Sequence, residues 1–349
     1  MTPHFHKYFF LFALVCKGLL ATDVAIAQAP AATAAAAQSD GDVSAWLLRL
    51  NEASRNRAYT GTFVVSAGSV MSSARIWHVC DGSQQLERVD ALSGPPRTTV
   101  RRNDEVMTFV PEERLTLVER RESLGLFPAM LHSTDQRLAD WYALRGVGAA
   151  ERVAGFEADV WELQPRDGLR FGYRVWAEKK TGLVLKLQTL DAQQRVLEQV
   201  AFSELNLDAS VRVDQLAKLM KPRPGYKVQQ LSLPRSTAEA LGWRLRQPVP
   251  GYASSAVHVL PAKRVEPASQ GAGGKPPSGS MQWVFSDGLA SVSLFVEPFD
   301  PKEHGAEVQL SAGATQSLAR RLDAYWLTVV GEVPMGTLLR FSQVLERIP

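Results

Sequence analysis

Between positions 155 and 207, apolar and polar residues alternate through four consecutive runs, DVWELQP, LRFGYRVWAE, LVLKLQTLD and RVLEQVAFSEL, separated by RDG, KKTG and AQQ. A period of two with short breaks carrying Asp, Gly and Gln predicts an antiparallel meander. One face gathers Trp161, Leu163, Phe171, Tyr173, Val175, Leu183, Leu185 and Leu187, while Lys179, Lys180, Lys186 and Arg195 serve the wet side. A curved sheet of this kind is suited to holding something or to being held. The same alternation predicts strands upstream in TGTFVVS, ARIWHVC, QQLERVD, TTVRRND, EVMTFV and RLTLVER, with DGS and SGPP as breaks.

Helical spacing appears twice in this half. Asp40 or Asp42 can cap a helix over residues 43–57, with Val43, Trp46, Leu47, Leu50 and Ala53 on one face, and a second helix is expected over 135–144. The apolar stretch 124–131 contains Gly125 and Pro128, which discourage regular structure. It is either a loop folded onto its own core or a movable flap over an apolar cavity. Together these elements make an α+β domain over 42–207, a curved antiparallel sheet with helices packed across it.

Residues 208–224 form a charged connector ending in KPRPG, and a hinge between two domains is expected there. A smaller, mostly β domain over 225–349 would begin with the strand GYKVQQLSLP, followed by the capping-box pattern Ser236-Thr237-Ala238-Glu239. The Gly-, Pro- and Ser-rich stretch 265–280 predicts a mobile loop, WVFSDGLASVSLFVEP predicts two strands about Ser286-Asp287-Gly288, and Pro334 opens a final helix.

Composition supports two packed domains. The chain has 349 residues, 45% apolar content and eight Trp, enough for two interiors and far from a disordered composition. At the N-terminus, His4, His6 and Lys7 precede an apolar run over 8–16, and Ala25-Ile26-Ala27 fits the small-residue cleavage pattern of an export signal over 1–27. Lys17 and Asp23 interrupt that run and make it a poor membrane anchor. The low-complexity segment that follows, 28–41, is expected to be a flexible tether. Removal of the signal leaves 37 basic residues against 35 acidic ones, a formal charge of +2. No basic block remains to recruit nucleic acid. Cys80 is then the sole cysteine, so no intramolecular disulfide forms, and its place in ARIWHVC predicts a buried, inert thiol.

The search for chemistry returns little. His78, His132, His258 and His304 lack metal-ligand spacing, and there is no HExxH, GxSxG, P-loop or CxxC pattern. No metal site, no cofactor and no enzymatic activity are expected. The carboxylate pairs Glu112/Glu113 and Asp104/Glu105 lie in polar turns where solvation explains them. Arg101/Arg102 and Arg320/Arg321 have no acid beside them, which leaves them either solvated or able to meet a lipid phosphate or an acidic peptide.

The run VWAEKKTGLVLKLQTLD followed by LEQVAFSEL, and the later WVFSDGLASVSLFVE at 283–297, resemble the RseB/MucB family, periplasmic negative regulators of an envelope-stress sigma factor of the sigma-E/AlgU type. The resemblance spans about residues 42–348. It implies that the first domain is a lipoprotein-carrier-like half-barrel able to hold acyl chains, and that the second binds the periplasmic part of a membrane-spanning anti-sigma factor. The protein would shield that factor from regulated proteolysis and leave it when lipid or a lipopolysaccharide fragment is bound. On this reading Phe63, Val65, Leu126, Phe127, Met130, Leu131 and Trp161 are candidates to contact lipid, and Trp243, Tyr252 and Trp283 to contact the partner. A homo-oligomer stays open. The alternative is a periplasmic lipid or lipoprotein carrier that uses the first domain alone.

Overall fold

The computed structural model describes residues 40–120, 127, 137–260 and 280–348. The expected export signal, nearly all of the tether, and most of the stretches 124–131 and 265–280 lie outside the described residues. Structure begins with β1 (Asp40–Gly41) and α1 (Val43–Arg55). The Asp42 carboxylate accepts the amides of Ser44 and Ala45 at 2.9 and 3.2 Å, satisfying donors that a helix start leaves unpaired. Val43, Trp46, Leu47 and Leu50 form the buried stripe of α1.

Next come β2 (Tyr59–Ala67), β3 (Val70–Cys80), β4 (Gln85–Ala91), β5 (Thr98–Arg102), β6 (Glu105–Val110) and β7 (Leu115–Arg120), matching the six expected runs. The meander follows as β10 (Phe156–Pro165), β11 (Gly172–Glu178), β12 (Val184–Leu190) and β13 (Val196–Asn206), preceded by β8 (Tyr142–Gly146) and β9 (Glu151–Val153). With β14 (Lys227–Leu231), they form a fourteen-stranded sheet in the order β1-β8-β10-β11-β12-β13-β2-β3-β4-β5-β6-β7-β14, with β9 beside β10. The closing pair sets Phe202 against Phe63 and Val200 against Val65. Register then places these four with Val175 and Leu187 on the face that α1 covers.

The helix expected over 135–144 is shorter than its spacing suggested. Only α2 (Leu138–Trp141) is helical, because the next residues pair with β10 through Leu144↔Leu163 and Tyr142↔Pro165. A longer helix would strip β10 of its neighbour and leave its backbone groups unpaired. The connector also departs from a free hinge. In it, α3 (Val213–Ala217) docks on the sheet face opposite α1, with Leu216 against Val79 and Leu86, and Met220 against Val100, Met107, Phe109 and Val118. Finally, β14, expected to open the second domain, lies parallel to β7 on the edge of the first sheet.

The second sheet contains β16 (Ala253–Val259), β17 (Met281–Ser286), β18 (Ser291–Pro298), β19 (Val308–Ala312), β20 (Thr315–Leu322) and β21 (Tyr325–Gly331), ordered β16-β17-β18-β21-β20-β19. A small pair joins β15 (Trp243–Leu245) to β22 (Leu345–Arg347). Pro334 precedes α4 (Met335–Val344), whose Leu338 and Phe341 are buried with Phe285, Leu318 and Leu327. The fold is therefore α+β, with a large curved sheet and a smaller sheet domain. Each has its own apolar core, and each lends a residue to the other: Leu169 packs on the second core and Leu289 on the first.

Candidate functional site

On the concave face of the first sheet, Phe127 lies with its ring 5.7 Å from Phe63 and 4.8 Å from Phe202. The structure thus brings Phe63 and Phe127 together, with Val65 half-buried beside them and Trp161 half-buried 6.1 Å from Trp46. Leu126, Met130 and Leu131 lie outside the described residues. Here the concave side is filled by side chains of α1 and of this aromatic cluster.

One end of the face is polar. Tyr59, His78, Glu87 and Arg101 are successive partners across β2, β3, β4 and β5, and all four are buried. Arg101 Nε donates to Glu87 at 2.8 Å, so it is neither solvated nor an unpaired cation at the surface. Arg102 pairs with Glu105 at 3.3 Å, and Arg321 lies over the Phe299 ring. His78 sits between the Arg57 carbonyl at 2.8 Å from Nδ1 and the Gln85 amide at 3.0 Å from Nε2, contacts that suit the neutral ring. Burial holds its pKa below the ordinary histidine value, against the pull of Glu87. Cys80 is half-buried, less covered than its strand position suggested, and its Sγ accepts the Gly82 amide.

In the second domain, the three expected partner anchors separate. Trp243 is 2% exposed and stands edge-on to Tyr325 at 5.0 Å, so it is core and presents no surface to a partner. Trp283 is also buried, but it floors a shallow groove of about 360 Å³ bordered by Arg235, Thr237, Glu239, Ser255 and Val257. Its indole N–H donates to Ser254 at 2.9 Å. This groove lies in a fork: residues 234–236 pair with the far half of β16, then turn away through Thr237, whose Oγ1 accepts the Ala240 amide, one residue later than the cap expected from Ser236 to Glu239.

Tyr252 belongs to the seam between the two sheets. The loop joining β10 to β11 carries Arg170, whose side chain is 0% exposed and whose Nε donates to Asp287 at 2.7 Å in the turn between β17 and β18. Its remaining nitrogens reach Asp167 at 2.5 Å and the Pro250 carbonyl at 3.1 Å. The guanidinium also lies 4.6 Å from the Trp141 ring centre and 4.7 Å from that of Tyr252. Asp287 is equally buried and fully used: it accepts the Tyr142 hydroxyl at 3.0 Å and the amides of Leu289 and Ala290. Burial, the Tyr173 phenol and the Asp287 carboxylate keep the Tyr142 phenol well above its ordinary pKa, so it remains a donor. Burial opposes the charge on Arg170, but Tyr252, Asp287 and Asp167 outweigh it and raise its pKa. In sequence Asp287 stands only as a turn former and Arg170 only near the start of the strand run LRFGYRVWAE, whereas the strand itself begins at Gly172 and leaves Arg170 in the loop before it.

Comparison with known proteins supplies the setting for these surfaces. Residues 42–220 match the family model of the MucB/RseB N-terminal domain, and residues 237–346 that of the MucB/RseB C-terminal domain. The chain is 32% identical over 310 residues to the sigma factor AlgU regulatory protein MucB of Pseudomonas aeruginosa, covering 86% of this chain and 90% of that one. It is 26% identical over 315 residues to the sigma-E factor regulatory protein RseB of Salmonella typhimurium, covering 89% and 92%. The solved structure of MucB in complex with MucA(peri) superposes with a TM-score of 0.66 at 28% identity, covering 88% of this chain and 100% of the other.

Proposed function

The chain belongs to the MucB/RseB family, and on that premise we propose that it is a periplasmic regulator that binds the periplasmic part of a membrane-spanning anti-sigma factor. The observation that carries this reading is the match of both domains, over 88% of the chain, to a MucB captured with MucA(peri). Binding, with no chemical step, is the activity that these surfaces support. The export pattern over 1–27 would deliver the protein to the compartment where such a segment is found.

Lipid is the proposed releasing signal. The apolar concave face is its site, with Phe63, Val65, Phe127 and Trp161 among the residues an acyl chain would meet, and Leu126, Met130 and Leu131 beside them in sequence. Because Phe63 and Phe127 now pack on each other, acyl binding requires them to part. Entry of lipid therefore has to change the core, which gives it a means of changing the partner's affinity. In the second domain the groove over Trp283 is the proposed partner contact, with Tyr252 at the nearby seam.

A retention assay tests the proposal. The anti-sigma factor's periplasmic segment, immobilised, should retain the full chain at micromolar concentration, and a long-chain lysophospholipid should elute it. Retention failing while the lysophospholipid still binds would sink the regulator reading and leave the carrier.

A further inference from the structure

We infer that Arg170 is the pin that holds the two sheets in one relative orientation, so that the domains move and unfold as a unit instead of swinging on the 208–224 connector. The charge pair comes from opposite sides of the seam, Arg170 from the first sheet and Asp287 from the second, and neither side chain is exposed. A small displacement of the sheets would stretch the Arg170–Asp287 and Tyr142–Asp287 bonds before water could replace them, and a buried charge that loses a partner is strongly unfavourable. Small displacements are therefore resisted steeply.

The surroundings make the pin directional. Trp141 of the first domain and Tyr252 of the second both lie against the guanidinium, so turning one domain about the pin would pull a ring from its cation. Close approach is built into the backbone as well. Gly251 has φ +76°, and a Cβ there would fall 1.9 Å from Arg170 Nη2. Further bonds cross the seam: the Leu169 carbonyl accepts both the Tyr252 hydroxyl at 3.1 Å and the Thr337 hydroxyl at 2.8 Å.

A second contact restricts rotation about the pin. The turn joining β19 to β20 reaches the first sheet at Gly313, where φ is +61° and a Cβ would lie 2.7 Å from Ala67 Cβ. The same Cβ would lie 3.2 Å from the Glu198 carboxylate of β13. One contact allows a pivot in any direction; a second contact away from it limits that motion. The connector adds no slack, because α3 and Met220 are packed on the first sheet.

The pin is a property of the unliganded chain, so its test needs no partner and is independent of the proposed function. Exposed Lys180 and Lys302 sit on different domains and can be changed, Lys180→Cys and Lys302→Cys, in a Cys80→Ser chain from which the expected export signal with Cys16 has been removed, and spin-labelled. Pulsed dipolar spectroscopy should give one narrow distance distribution, and calorimetry one unfolding transition. Asp287→Asn removes the charge while its side-chain oxygen can still accept the Leu289 and Ala290 amides, so the turn keeps its local bonds. That variant, and Arg170→Ala, should broaden the distribution and split the transition into two, the domains each retaining native circular dichroism. An unchanged narrow distribution and single transition in Asp287→Asn overturns the inference, whatever Arg170→Ala does.

Discussion

At the scale of single residues, what an aromatic does here is decided by what surrounds it, and the sequence shows only its type. Trp243, Tyr252 and Trp283 were alike as candidates because buried cores and interface anchors draw on the same residues. Folding makes the first of them core, sets the second in the seam and puts the third under a groove. Phe127 is a sharper case, since Gly125 and Pro128 nearby left its segment without a legible structure, yet its ring is 2% exposed between Phe63 and Phe202. Phe127→Ala is expected to cost about 3 to 5 kcal/mol in urea unfolding. A loss below about 1 kcal/mol, with lipid binding abolished, would instead make it a flap residue whose packing contributes little to the folded state. His78 adds a pH dependence. Its folded pKa is held down by burial, so the unfolded chain takes up the proton first as pH falls through the ordinary range near 6.5. Stability should then drop with acidification below about pH 6.5, and His78→Gln should flatten that part of the curve. The same slope in both proteins would show that His78 is not its source.

At the scale of elements, local patterns were reliable wherever pairing was also local. The meander and the six earlier strands lie between neighbours in sequence, and their alternation and turns were sufficient to place them. Leu138, Trp141 and Tyr142 have helical spacing, but Tyr142 is drawn into a strand by β10, whose open edge no local pattern reveals. Likewise β14 has the look of a first strand for a new domain and finds its partner in β7, about a hundred residues earlier. The start of α1 is local and therefore legible. Asp42→Ala should cost about 0.5 to 2 kcal/mol by loss of the two cap bonds, with the buried stripe of α1 retained. Thermal unfolding that shows no decrease would mean that solvent replaces the cap.

At the scale of the whole molecule, two apolar cores and one buried charge cluster define how the chain can respond to a ligand. The seam was illegible in sequence because its members, Trp141 and Tyr142, Arg170, Tyr252 and Asp287, come from four separate places and each has an ordinary local reason to be there. Once assembled, Tyr142 belongs to the first core and bonds the turn that closes β17 to β18 of the second. A ligand that opens the first core thus acts on a residue that the second domain holds. If lipid and the anti-sigma segment oppose each other through this one body, linkage requires that each weaken the other by the same factor. The most direct measurement is calorimetric titration of the full chain in both orders, with the partner's periplasmic segment and a long-chain lysophospholipid. The account predicts that saturating lysophospholipid weakens the segment's affinity at least about fivefold, and that saturating segment weakens lysophospholipid by an equal factor. Two affinities that are each indifferent to the other ligand, or a segment that does not bind the lipid-free protein, would contradict it.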